Sequence, residues 1–107
     1  MIRVIIERRC YPDRCTEMEQ LLMELRTKAT QHHGYISGET LHSIDDPSLW
    51  LVISTWVDID SWKAWENSPE RHEISQRIAP FLTSPEKAAV FGFSRRGVTM
   101  SAHVVDK

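Results

Sequence analysis

The 107-residue chain has almost no net charge to offer a polyanion: 13 Lys+Arg stand against 15 Asp+Glu, a formal charge of −2. A protein that neutralises many phosphates needs a basic patch or stripe, so nucleic acid is not expected as a partner. Long apolar runs are lacking too. The stretch Met1-Ile2-Arg3-Val4-Ile5-Ile6-Glu7 is broken by charge at its third and seventh positions, whereas a span or a leader needs a longer unbroken segment. No membrane is expected, and the cytoplasm is the expected compartment. Cysteine is scarce, with only Cys10 and Cys15, and their spacing matches no zinc or thiol-redox pattern. In a reducing compartment both are expected to stay thiols and serve as packing residues, a free reactive thiol being the lesser alternative. With 41 % hydrophobic and 26 % charged residues, four Gly and five Pro, disordered, collagen-like and disulfide-scaffold readings lose their basis.

Tryptophan, by contrast, is plentiful: four, beside three Phe and two Tyr. A domain of this size buries only about two-thirds of the surface its unfolded chain exposes. Large rings are hard to hide in so small a body, so some are expected on a pocket or a partner interface. The length suits one domain, read here as residues 1–95 followed by a tail, residues 96–107.

Residues 2–9 alternate, Ile2, Val4 and Ile6 on one side and Arg3, Ile5, Glu7 and Arg9 on the other, which is the period of a strand. Tyr11-Pro12-Asp13 breaks it. Cys15, Met18, Leu22, Leu25 and Ala29 then recur at helical spacing, predicting an amphipathic helix over residues 13–33 closed by Gly34 as a left-handed cap. Residues 35–44 and 49–56 read as strands joined by the turn Asp45-Asp46-Pro47-Ser48, an antiparallel hairpin. Ile59, Trp62 and Trp65 mark a short helix over residues 58–67. Ser68-Pro69-Glu70 restarts the chain with a capping Ser, a Pro in the first helical position and an acid in the first turn. Pro80 closes that helix. A last strand is predicted over residues 87–94, and residues 102–105 of the tail have the pattern of a short further strand.

The order is β-α-β-β-α-β with the second helix split, an α+β chain of ferredoxin-like type. Such a fold covers one face of its sheet with helices. On the other face an alternating third strand would suit water, yet Leu49-Trp50-Leu51-Val52-Ile53 is apolar throughout, which implies burial on both sides. The simplest cover is a second copy, so a twofold homodimer with sheets packed face to face is expected.

The residues Gly34-Tyr35-Ile36-Ser37-Gly38-Glu39-Thr40-Leu41, Asp45-Asp46-Pro47, Leu51-Val52-Ile53-Ser54-Thr55-Trp56, Trp62-Lys63-Ala64-Trp65 and Ser68-Pro69-Glu70-Arg71 resemble, in order and spacing, the antibiotic biosynthesis monooxygenase domains. The resemblance spans about residues 2–93. It implies a dimeric α/β barrel and a cofactor-independent monooxygenase that oxidises an electron-rich aromatic or quinol with dioxygen. Triplet dioxygen reacts slowly with closed-shell molecules unless the substrate is a phenolate or carbanion able to give up one electron. A dry pocket that favours the anion is therefore enough. No metal and no cofactor are expected, since no His-x-x-x-His pair, paired-Cys motif or Gly-x-Gly-x-x-Gly is present.

Trp65 matches a tryptophan that lines the cavity of haem-degrading relatives and is the first candidate for a pocket wall; its ordinary alternative is helix-to-sheet packing. Trp62 and Trp56 are the neighbouring candidates for substrate contact, and Trp50 is expected in the core or interface. His72 lies near the cavity mouth if the family layout holds, with a side chain suited to proton transfer; a surface histidine is the alternative. His42 is a second proton-transfer candidate on the second strand. Arg8 and Arg77 are the cations expected to approach an anionic substrate. His32 and His33 are explained by the helix end they occupy. Haem binding or degradation is the least favoured reading, because the sequence departs from what the haem-degrading relatives share: the first strand has no asparagine, and Ser75, not histidine, stands ten residues after Trp65. A non-catalytic small-molecule-binding dimer of the same fold is the alternative function.

Overall fold

β1 (Ile2–Arg9) and β3 (Leu49–Trp56) take the centre of a four-stranded sheet. β2 (Tyr35–His42) and β4 (Lys87–Gly92) form its edges, in the order β2-β3-β1-β4, and every neighbouring pair is antiparallel. A computed structural model describes residues 1–94 of the chain; the expected tail, with its strand at 102–105, lies outside them. α1 (Cys15–Ala29), α2 (Ile59–Glu66) and α3 (Pro69–Ile78) complete the fold, with a short 3₁₀ turn at Ala79–Phe81. The α+β, ferredoxin-like order is therefore as expected, split second helix included.

Register decides which side chains face the helices. Val4 opposes Ser54, Ile6 opposes Val52 and Arg8 opposes Trp50, and opposed residues share a face of the sheet. Val4, Ile6, Arg8, Trp50, Ser54 and Trp56 are all buried on this side. Met18, Leu22, Leu25 and Ala29 of α1 bury against it at helical spacing, and Arg71, Ile74 and Ile78 of α3 form a second stripe. The other face carries Ile5, Leu51 and Ile53, which are only half-buried, and Leu41 and Phe91, which are exposed.

Several local features differ from expectation, among them α1, which starts at Cys15, and β4, which ends at Gly92. Cys10 and Cys15, expected as reduced packing residues, are joined by a disulfide. The turn after β1 returns the chain so sharply that the two Cα atoms lie 5.4 Å apart, well inside bonding reach. Gly34, expected as the cap of α1, lies four residues beyond the helix's capping Thr30. It has φ of 89°, and its bare Cα is where Ser61 of α2 packs; a Cβ there would run into the Ser61 side chain. β2 ends at His42, two residues short of its expected end, because Ser43 turns to bond the Asp46 amide with its hydroxyl.

The helix starts follow their chemistry. Asp58 accepts the Ser61 amide at 2.8 Å to open α2, and Ser68 accepts the Arg71 amide at 3.2 Å to open α3 with Pro69 in its first turn. Each satisfies a backbone donor left over at a helix start. Together they fix the kink between α2 and α3, and so the direction in which Trp62, Trp65 and Arg71 point.

Candidate functional site

Between the helix-facing side of the sheet and the helices lies a narrow cavity of about 40 Å³. Its wall is aromatic. Trp56 stands edge-on to Tyr35, ring centres 5.3 Å apart at 90°, and edge-on to Trp62 at 5.9 Å and 63°. Trp65 completes the wall and receives the edge of His32 at 4.8 Å on its outer side. The Trp56 indole N–H donates to the Ser54 hydroxyl at 3.0 Å inside the core, so the ring is oriented and its polar atom satisfied. A bulge between Tyr35 and Ser37 shifts the phase of β2, which brings both Tyr35 and Gly38 to the inner face. Gly38 then leaves the Tyr35 hydroxyl the space that any side chain would take.

One part of this lining is cationic. Arg8 and Arg71 both border the cavity, and both are buried, at 2 % and 8 % exposure. Glu86, just before β4, reaches in to accept from Arg8 Nη2 at 2.9 Å and from Arg71 Nη2 at 3.4 Å through the same oxygen, Oε2. Arg71 also lies 5.5 Å over the Trp62 ring, a cation–π contact. Burial pulls the Arg8 guanidinium pKa below its ordinary value; Glu86 opposes this and neighbouring Arg71 adds to it. Arg8 Nε and Nη1 and Arg71 Nε find no partner among the described residues. Two fixed cations against one carboxylate leave a charge of one unit uncompensated there.

Trp56, Trp62 and Trp65 thus meet in one place, while three other candidates do not join them. His72 is exposed: it follows inward-facing Arg71, and one helical residue turns the side chain by about 100°. His42, at the end of β2, is exposed and stacks at 5.2 Å on Trp50. Arg77 is held on the surface by Glu24, two bonds of 2.9 and 3.1 Å, with Glu73 at 3.5 Å. That pairing raises the Arg77 pKa and lowers that of Glu24. Among the described residues no group of three or more His, Cys, Asp or Glu is placed to hold a metal. No described helix is long and apolar enough to cross a membrane.

The family model described as antibiotic biosynthesis monooxygenase matches residues 1–77. The chain belongs to the antibiotic biosynthesis monooxygenase family. Every residue bordering the cavity lies within that matched span, whereas Glu86 lies beyond it. Solved structures agree on the fold. SnoaB from Streptomyces nogalater, a cofactor-independent oxygenase solved in a mutant form, superimposes with a TM-score of 0.79 at 13% identity, over 88% of this chain and 93% of that one. A conserved protein from Methanosarcina mazei Go1 gives 0.79 at 19% identity, over 84% of this chain and 89% of that one. Protein SchA of Streptomyces halstedii is 33% identical over 49 residues, which is 46% of this chain but only 13% of SchA.

Within this family member the residues that the sequence reading left out are Tyr35, Arg71 and Glu86. Arg71 carried a signal: it shares the i, i+3, i+7 stripe of Ile74 and Ile78. Arg8 continues the inward alternation of Val4 and Ile6. Glu86 carried none, because its partner Arg8 is 78 residues away in sequence.

Proposed function

We propose that this protein is a cofactor-independent monooxygenase that oxidises a small, flat, electron-rich aromatic or quinol with dioxygen and works as a homodimer. The observation that carries the reading is the cavity, walled by Tyr35, Trp56, Trp62 and Trp65 and ending on two buried arginines, in a chain of this family. A flat ring lies against the aromatic wall, and the guanidinium groups favour its deprotonated form. The proton leaves to solvent, since neither a carboxylate nor an imidazole borders the cavity among the described residues. The anion gives one electron to dioxygen, and the resulting radical pair combines at carbon. In an anthrone, loss of water then turns the ring CH₂ into a carbonyl: one oxygen atom enters the product, the other leaves as water, and the substrate supplies all the electrons.

Size bounds the substrate. One water needs about 10–15 Å³ of such space, so a cavity of about 40 Å³ admits a ring only after half-buried Tyr35 or exposed Arg26 moves outward. The same tightness favours the second reading, a non-catalytic dimer of this fold whose own rings fill the space. Oxygen uptake with a panel of anthrones and hydroquinones separates the two. Turnover above autoxidation that drops about tenfold or more in Trp65→Phe, where a ring is kept but its reach is lost, supports the oxygenase. Uptake equal to the protein-free rate with every compound, and no change in Trp65→Phe, supports the second.

A further inference from the structure

We infer that the cavity selects a planar aromatic monoanion, its oxyanion head resting against Arg8 and Arg71 and its ring against the tryptophans. The inference names the substrate class of the site proposed above and rests on that reading of the cavity as a ligand site, but not on turnover.

The argument begins with donors. A guanidinium carries five N–H groups and no acceptor. Glu86 takes one from each arginine, through a single oxygen. Three nitrogens, Arg8 Nε and Nη1 and Arg71 Nε, remain buried and unpaired among the described residues, and folded proteins leave few such groups without a use. Arg8 is 2 % exposed, so bulk water does not serve it. Charge points the same way, because two cations and one carboxylate bind one further negative charge to reach neutrality. In a site of low dielectric that preference is strong. Arg26, exposed on the cavity border, adds positive charge where a ligand enters, and no acid borders the cavity to oppose it among the described residues.

A structural ion cluster is the competing account: Glu86 would merely fasten the start of β4 to α3. It explains the two Nη2 contacts and leaves the other three nitrogens unexplained. It also places no cost on a neutral ligand, whereas an oxyanion site does, since a neutral amide presents its own N–H groups to donors that need acceptors.

Binding read by tryptophan fluorescence tests this, using benzoate and its neutral isostere benzamide as probes at neutral pH. Benzoate is expected to bind about tenfold or more tightly than benzamide, as charge-assisted hydrogen bonds favour the anion. The preference is expected to vanish in Arg71→Met and in Arg8→Met and to persist in the surface control Arg14→Met. Glu86→Gln, which removes the internal competitor, is expected to tighten benzoate, and it serves where an arginine variant fails to fold. Phenol titrated over rising pH distinguishes the two kinds of oxyanion: affinity that climbs with ionisation places phenolates in the same class as carboxylates, and flat affinity confines the class to carboxylates. Equal affinity for benzoate and benzamide, or a preference untouched by Arg71→Met and Glu86→Gln alike, overturns the inference. Benzoate selectivity without oxygen uptake would refute the oxygenase and leave the anion site standing.

Discussion

The Arg8 guanidinium is bound to the Glu86 carboxylate at 2.9 Å, with side-chain exposures of 1% and 27%. This one ion pair joins the second residue from the end of β1 to the segment that enters β4. Its removal from one side leaves buried positive charge: in Glu86→Gln, Arg8 and Arg71 keep their charge and lose their common acceptor. Breaking a buried pair in this way costs about 3 kcal/mol, a large share of the about 5–15 kcal/mol that holds a domain folded. Glu86→Gln is therefore expected to lower the unfolding free energy by that amount, read as a lower denaturant midpoint with an unchanged slope, and saturating benzoate is expected to recover part of the loss. An Arg8→Met, Arg71→Met, Glu86→Met triple variant is expected to fold at least as stably as wild type, since apolar replacement of a whole buried cluster is often neutral or better. Urea unfolding of the two variants checks both statements.

The Cys10–Cys15 disulfide closes a short loop between β1 and α1. Chain entropy gives a loop of this size about 2 kcal/mol, an amount that depends on the model used for the unfolded chain. Cys10 also fills space, being fully buried among core residues. Cys15→Ala breaks the bond and leaves Cys10 in place, so it is expected to lose the cross-link contribution alone, while Cys10→Ala loses the same plus the cost of a small cavity. Reductant should lower the thermal midpoint of wild type and leave Cys15→Ala unmoved; equal shifts in both would show that the bond does not stabilise the fold.

Much of this molecule is written in local pattern. The period of two in Ile2-Arg3-Val4-Ile5-Ile6 and the unbroken apolar run at 49–53 mark the two central strands, and Ser68-Pro69 marks the start of α3. The meeting of Trp56, Trp62 and Trp65 follows from a strand end, a tight turn and a capped helix in succession. The polar end of the cavity is harder to read. Arg8 and Arg71 sit on apolar stripes whose phase could have placed them inward, but a charged residue is buried only when a partner is at hand. That partner, Glu86, comes from the far end of the described chain. The disulfide was hidden for a similar reason, because its existence depends on how sharply Tyr11-Pro12-Asp13-Arg14 turns.

Acid should loosen the cap that aims α2. Asp58 accepts from the Ser61 backbone and side chain, which lowers its pKa from the ordinary aspartate value, with nearby His33 adding slightly. A carboxyl whose pKa is lower folded than unfolded stabilises the protein fully above the unfolded value. That contribution fades as pH falls below about 4, through the lowered folded value. Asp58→Asn keeps an acceptor for the Ser61 amide but does not titrate. The variant is expected to be less stable than wild type at neutral pH and to lose less on acidification, so the two thermal midpoints converge at low pH. Glu24, lowered by Arg77 in the same sense, remains in both proteins, so some acid sensitivity is expected to survive. Midpoints that run parallel from about pH 6 to about pH 3, across the aspartate range, would show that Asp58 has no part in it.

The outer face of the sheet sets the last test. An antiparallel sheet tolerates water on one side when that side is polar, yet Ile5, Leu51 and Ile53 stand there half-buried, with Leu41 and Phe91 exposed around them. Arg3, Glu7, Arg9, Glu39 and Lys87 share that face around the apolar patch, Arg3 bonding Thr55 at 3.4 Å and lying 5.8 Å over Phe93. A second copy laid on the same surface would cover it without any new residue type, and the self-complementary twofold arrangement is the commonest among oligomers. Light scattering at micromolar concentration is expected to give twice the monomer mass. Ile53→Lys puts a charge at the centre of that face without touching the helix side, so it is expected to give a monomer with an unchanged circular dichroism spectrum. Benzoate binding should survive in that monomer, because the cavity lies between the helices and the opposite face of the sheet; its loss on dissociation would mean that the partner completes the site.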